Sequence, residues 1–119
     1  MPLCRNFMGR TRIINFINTS VMPTYVLLTK LSPDLTRQMK ERAELGRTWL
    51  DQVKNTCPKV KFIAHYALLG QFDFLDIYEA PDDLTAAKVS IIGQANGAFQ
   101  AQSLSAIPYK QYLDLIGEI

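Results

Sequence analysis

The stretch Leu69-Gly70-Gln71-Phe72-Asp73, with Glu79-Ala80-Pro81-Asp82-Asp83 shortly after it, holds a tight turn, a strand and a helix start. Gly70 suits the positive φ that a two-residue Gly-X hairpin turn needs at its first position. Pro81 cannot continue a hydrogen-bonded ladder, and Asp82 is a good helix N-cap. Asp73, just past the turn, is placed to accept backbone N–H bonds, and Glu79 to sit at a sheet edge. Gly70, Phe72, Asp73, Glu79, Pro81 and Asp82 therefore read mainly as scaffold.

Working outward from the hairpin, Lys59 to Leu69 and Phe72 to Ala80 read as its two strands. Upstream, Thr24 to Leu31 is a β-branched and apolar run, and Ser32-Pro33-Asp34 supplies an N-cap, a proline at the first helical position and an acid in the first turn. The helix that follows carries Leu35, Met39, Ala43, Leu50, Val53 and Cys57 on one stripe, with Trp49 at its edge, and Pro58 stops it. Downstream, the helix capped by Asp82 is expected to turn Leu84, Ala87, Ile91 and Ala95 inward and to end at Asn96-Gly97. Ala98 to Ile107 reads as a fourth strand and Pro108 to Ile116 as a short amphipathic helix.

The order β-α-β-β-α-β is that of a split βαβ, ferredoxin-like α+β fold: a four-stranded antiparallel sheet with two helices on one face. Those helices cover one face only. Yet Leu27, Leu31, Phe72, Phe74 and Tyr78 alternate with Val26, Leu28, Leu75 and Ile77, so both faces are apolar. An exposed apolar face of this size marks an interface. The expected state is a homodimer with two sheets face to face, a dimeric α+β barrel, with scope for a higher oligomer.

Met22-Pro23-Thr24-Tyr25-Val26, Gly70-Gln71-Phe72-Asp73 and Glu79-Ala80-Pro81-Asp82-Asp83 together resemble the GYD domain family, in order and spacing, over roughly residues 22 to 107. The resemblance implies the dimeric ferredoxin-like barrel and no established activity. This chain has Phe72 where the family's tyrosine stands.

The chain has 119 residues, 48% hydrophobic and 20% charged, with a formal charge of +2. Arg5, Arg10 and Arg12 lie in an acid-free segment, residues 1–21; without them ten Lys/Arg face eleven Asp/Glu, a net of −1. That near-neutral body argues against nucleic-acid partners, which need a basic surface. No apolar run approaches the roughly 20 residues of a membrane helix. Residues 1–21 are expected to be a disordered or over-extended segment, the alternative being a targeting peptide, and residues 22–119 one domain with a short C-terminal helix. Cys4 and Cys57 form no CxxC pattern, which suits a reducing cytoplasmic setting. No spacing suggests a metal site, and no cofactor is expected.

The hairpin yields a candidate site. With a Gly70-Gln71 loop, paired positions sum to 141, so His65, the chain's single histidine, stands opposite Asp76. Directly opposite Cβ atoms are about 5 Å apart, close enough for an imidazole–carboxylate contact. Ile63, Ala67, Phe74 and Tyr78 are expected on the same face, where partial desolvation shifts acid–base behaviour. A bulge of one residue would separate the pair. Three functions fit. The first is a small-molecule-binding or regulatory dimer with a pocket lined by Tyr25, His65, Asp76, Tyr78, Gln100 and Gln102. The second is a cofactor-independent oxygenase or isomerase with His65 as base and Asp76 orienting it. The third is a pure oligomerisation module.

Overall fold

The computed structural model describes residues 22–36 and 39–119, so the expectations for residues 1–21 and for positions 37 and 38 lie outside the described residues. The elements are β1 (Thr24–Leu31), α1 (Pro33–Thr36), α2 (Met39–Thr56), β2 (Lys61–Ala67), β3 (Phe74–Glu79), α3 (Asp83–Ala95), β4 (Ala98–Ala106) and α4 (Tyr109–Gly117). The strands form one sheet in the order β2-β3-β1-β4, antiparallel throughout. Each helical crossover thus returns the chain two strands away, and the two crossovers interleave. This is the ferredoxin-like α+β arrangement.

The strands are shorter than the apolar runs suggest, because the turn takes more residues. The β2–β3 ladder ends at Ala67 and Phe74, and one further bond runs from Leu68 N–H to the Asp73 carbonyl (2.9 Å). The loop is therefore Leu69–Phe72 rather than Gly70-Gln71, with Gly70 at φ 141°, a value L side chains rarely adopt. The register nevertheless follows the expected sum of 141 from Ala64 to Ala67. A bulge lies between Phe62 and Ala64, beyond the His65–Asp76 pair as seen from the turn. It replaces Ile63 by Phe62 on the helix-covered face: Phe62 contacts the Tyr78 ring (5.9 Å between centroids), whereas Ile63 is exposed.

That covered face carries the core. Tyr25 and Leu27 of β1, Tyr78 of β3 and Ala101 of β4 pack with Val53 and Cys57 below α2 and with Ala86, Val89 and Ile92 of α3. An aromatic chain crosses it from Trp49 to Phe62, Tyr78 and Tyr25, with successive ring centroids 5.4, 5.9 and 5.5 Å apart. The opposite face, with Val26, Leu28, Leu75 and Ile77 half-buried and Leu104 exposed, has no cover among the described residues. No residue of α4 is buried, and Tyr109, Tyr112, Leu113 and Ile116 are exposed.

The α3 phase departs from expectation. Leu84 and Ile91, expected inward, are 77% and 61% exposed, and Ala87 and Ala95 are exposed too. The Asp82 carboxylate accepts the Thr85 N–H (2.8 Å) and sets the helix start so that Ala86, Val89, Ile92 and Gly93 face the sheet. Where α3 lies closest to β4 a small residue is required: a Cβ on Gly93 would stand 3.3 Å from the Ala101 Cβ. On α2, Val53 is buried while Met39 and Ala43 are exposed.

Leu27→Ala should cost about 2–5 kcal/mol in urea unfolding, because a fully buried leucine leaves a cavity at the sheet centre. Leu84→Ala and Ile91→Ala should each change stability by less than about 0.5 kcal/mol. A large loss in either α3 variant would mean that the helix faces the other way.

Candidate functional site

Asp76 occupies the middle of β3, with Leu27 of β1 on one side and His65 of β2 on the other. The residue is buried, 4% exposed, the one buried charged residue among those described. His65 Nδ1 lies 2.5 Å from Asp76 Oδ1. When Asp76 is ionised, Nδ1–H donates to it and Nε2 presents a lone pair, so the ring can accept a proton from a neighbouring group. The His65 side chain is 62% exposed and stacks on Phe74, ring centroids 5.5 Å apart. Burial pushes the Asp76 carboxyl above its ordinary value, and the neighbouring imidazole partly offsets this.

The pair opens into a cavity of about 470 Å³ between α2 and the sheet. Its walls are largely apolar: Leu31, Phe62 and Phe74 from the strands, Ala43, Leu45, Trp49 and Leu50 from α2, and Ala98 at the start of β4. Arg42, Arg47, Asn96 and Thr29 add polar groups. The Trp49 indole N–H is buried and has no hydrogen-bond partner among the described residues. Arg42 lies over the Phe74 ring, 5.9 Å from its centroid, and 3.9 Å from Asp73 Oδ1.

The six residues expected to line one pocket are divided by the sheet. His65 and Asp76 line the cavity. Tyr25 and Tyr78 share their face, but their hydroxyls are engaged elsewhere. Tyr25 donates to Asp83 Oδ1 (2.6 Å), which ties β1 to the start of α3, and this bond with burial pushes its hydroxyl up to about 12. The Tyr78 hydroxyl pairs with Ser103 Oγ (2.7 Å), itself 2.7 Å from Ser90 Oγ, and burial raises it. Gln100 and Gln102 alternate with buried Ala101 and so project from the uncovered face.

The motif residues hold the frame. Asp73 Oδ2 accepts the Leu31 N–H (2.7 Å) and the Asp73 N–H donates to the Thr29 carbonyl (2.8 Å), so the turn is pinned to the end of β1. The Asp82 carboxyl is held below its usual range by the Thr85 N–H it accepts. Among the described residues, no group of His, Cys, Asp and Glu could hold a metal ion, and no helix is long and apolar enough to cross a membrane.

Trp49, Phe62, Arg42 and Arg47 line the cavity without having been singled out as site residues. A signal for Arg42 and Trp49 existed. Arg42, Gly46, Trp49, Leu50 and Val53 recur at helical spacing, and an interior glycine is unexpected in an exposed helix.

The state of Asp76 can be read from stability. A carboxyl raised above its unfolded value of 3.8 binds more protons folded than unfolded between the two values. Its contribution is present below 3.8 and is lost as pH rises through the folded value. Asp76→Asn, which does not ionise, should therefore gain in stability relative to wild type from about pH 3 to about pH 7, measured by urea unfolding. A difference that is flat across this range would contradict a desolvated carboxyl.

A family model described as GYD domain matches residues 25–116. A Thermus thermophilus protein named glutamine synthetase and cystathionine beta-lyase binding protein is 29% identical over 87 residues, covering 73% of this chain and 90% of its own length. The crystal structure of MtbAldR is similar with a TM-score of 0.55 and 16% identity, over 90% of this chain and 64% of that one. That likeness shows the fold alone. With its turn, strand end and helix cap in place within the matched segment, this chain belongs to the GYD domain family.

Proposed function

We propose that this protein is a homodimer that binds a small molecule in the cavity between α2 and the sheet and acts in regulation, in the cytoplasm. The carrying observation is the cavity of about 470 Å³, apolar-walled and reaching the His65–Asp76 pair. Its size and character are those of small-molecule sites: mostly apolar, with a few convergent polar groups. Such a cavity favours binding over a pure oligomerisation module. The hydrogen-bonded pair also supports a second reading, proton transfer by His65 with Asp76 orienting the ring.

The dimer draws its support from the uncovered face. Val26, Leu28, Leu75, Ile77 and Leu104 form an apolar surface that a second copy would cover. The Thermus relative is named for binding two enzymes. Protein partners are therefore part of the proposal, with the ligand as the signal and the partner as the output.

A thermal-shift screen of small apolar acids, amines and neutral aromatics should find compounds that raise the melting temperature, since a ligand of the native state stabilises it. The shift should disappear in Ala43→Phe, which adds a ring to the cavity lining. Retention of the full shift in that variant would place binding elsewhere. Light scattering on an eluting peak should give twice the chain mass, and Leu104→Glu should reduce it to that of a single chain. A wild-type monomer at micromolar concentration would contradict the dimer.

A further inference from the structure

We propose that the cavity's ligand is an apolar carboxylate, its body against Trp49, Leu50 and Phe62 and its carboxylate at Arg42 and Arg47. The proposal rests on the small-molecule reading above and narrows its chemistry.

The unmet groups of the lining share one character. Of the Arg42 guanidinium's five N–H donors, one on Nη1 reaches Met39 Sδ (3.3 Å), and the carboxylate oxygen of its ion pair, Asp73 Oδ1, is 3.9 Å away, outside hydrogen-bond range. Asp73 is itself occupied, its other oxygen accepting the Leu31 N–H. Arg47 is exposed and makes no ion pair among the described residues. The Trp49 indole is a donor only, and its N–H is buried without an acceptor among those residues.

Charge points the same way. Asp76 is the single acid of the lining, and its charge is turned to His65. Against it stand two guanidinium groups of α2, Arg42 with Asp73 as a counter-charge at 3.9 Å and Arg47 with none among the described residues, so the mouth favours an anion. A guanidinium fork matches the two oxygens of a carboxylate and forms charge-assisted hydrogen bonds with it. An amine would meet two cations there, and a neutral amide would lose the charge-assisted part.

Trp49 is the chain's single tryptophan, so its fluorescence reports on this cavity alone. The full chain is titrated with 3-phenylpropionate and, separately, with 3-phenylpropionamide. The acid should change Trp49 emission saturably and bind at least about tenfold more tightly than the amide. That ratio should fall towards one in the Arg42→Gln/Arg47→Gln variant, whose fold is checked by circular dichroism. Should the variant fail to fold, the wild-type ratio is compared at low and high salt, where screening should shrink it. Equal affinity for acid and amide would overturn the carboxylate and leave the small-molecule reading standing. No change in Trp49 emission with either compound would overturn both. A ratio that survives in the folded variant would remove the two arginines as the anion site.

Discussion

Asp76 lies between Leu27 and His65 on a sheet face closed by helices, and the register of the β2–β3 hairpin is what gives its carboxyl a partner. A carboxylate in that position without one would carry an effective desolvation cost of several kcal/mol. A slip of one residue would send His65 to the opposite face. The turn prevents the slip from one end, where Asp73 binds the backbone of Leu31 and Thr29. At the other end the bulge at Ile63 absorbs the strand's irregularity beyond the pair. The ladder between them, Ala64–Ala67 against Phe74–Ile77, runs without interruption.

From that register the covered face divides into two parts. Near β4 and α3, small residues and hydroxyls dominate: Gly93 allows close approach to Ala101, and Tyr78, Ser103 and Ser90 satisfy one another. This part is packed shut. Near β2, α2 stands off the sheet and the cavity opens, with His65 and Asp76 on its wall. The same sheet thus supplies a rigid core and a recess beside it, and the recess is built on strands and a helix rather than on loops. Sites on such elements hold their geometry well.

Much of this was legible from residue types whose geometry is demanding. Gly70, Asp73, Pro81 and Asp82 mark turn, strand end and cap, and the fold follows from the β-α-β-β-α-β order of elements. The opposition of His65 and Asp76 holds although the turn is longer than the expected Gly70-Gln71, because the longer loop keeps the same pairing sum. The α3 phase was not legible from apolarity, because Leu84 and Ile91 on the exposed side are as apolar as Val89 and Ile92 on the sheet-facing side, which also carries Ala86 and Gly93. Close helix–sheet approach selects Ala and Gly there, and that distance is a tertiary property. Similarly, Gln100 and Gln102 have polar side chains suited to a ligand, but strand alternation about Ala101 puts them on the other side of the sheet. Tyr25 and Tyr78 lie on the expected face, with hydroxyls committed to Asp83 and Ser103. The cavity's helical wall was the least legible part, since Arg42 and Trp49 become neighbours of the sheet only once α2 is docked.

Asp76 holds the His65 ring by Nδ1 and leaves Nε2 without a partner among the described residues, and on this the reading of the site turns. Because His65 is the chain's single histidine, two-bond nitrogen–proton NMR correlation of the imidazole gives one unambiguous pattern. At mildly alkaline pH the expected result is a proton on Nδ1 and none on Nε2, with the pattern reverting to the exposed-histidine mixture in Asp76→Ala. An Nε2-protonated ring in the wild type, unchanged by that substitution, would contradict it.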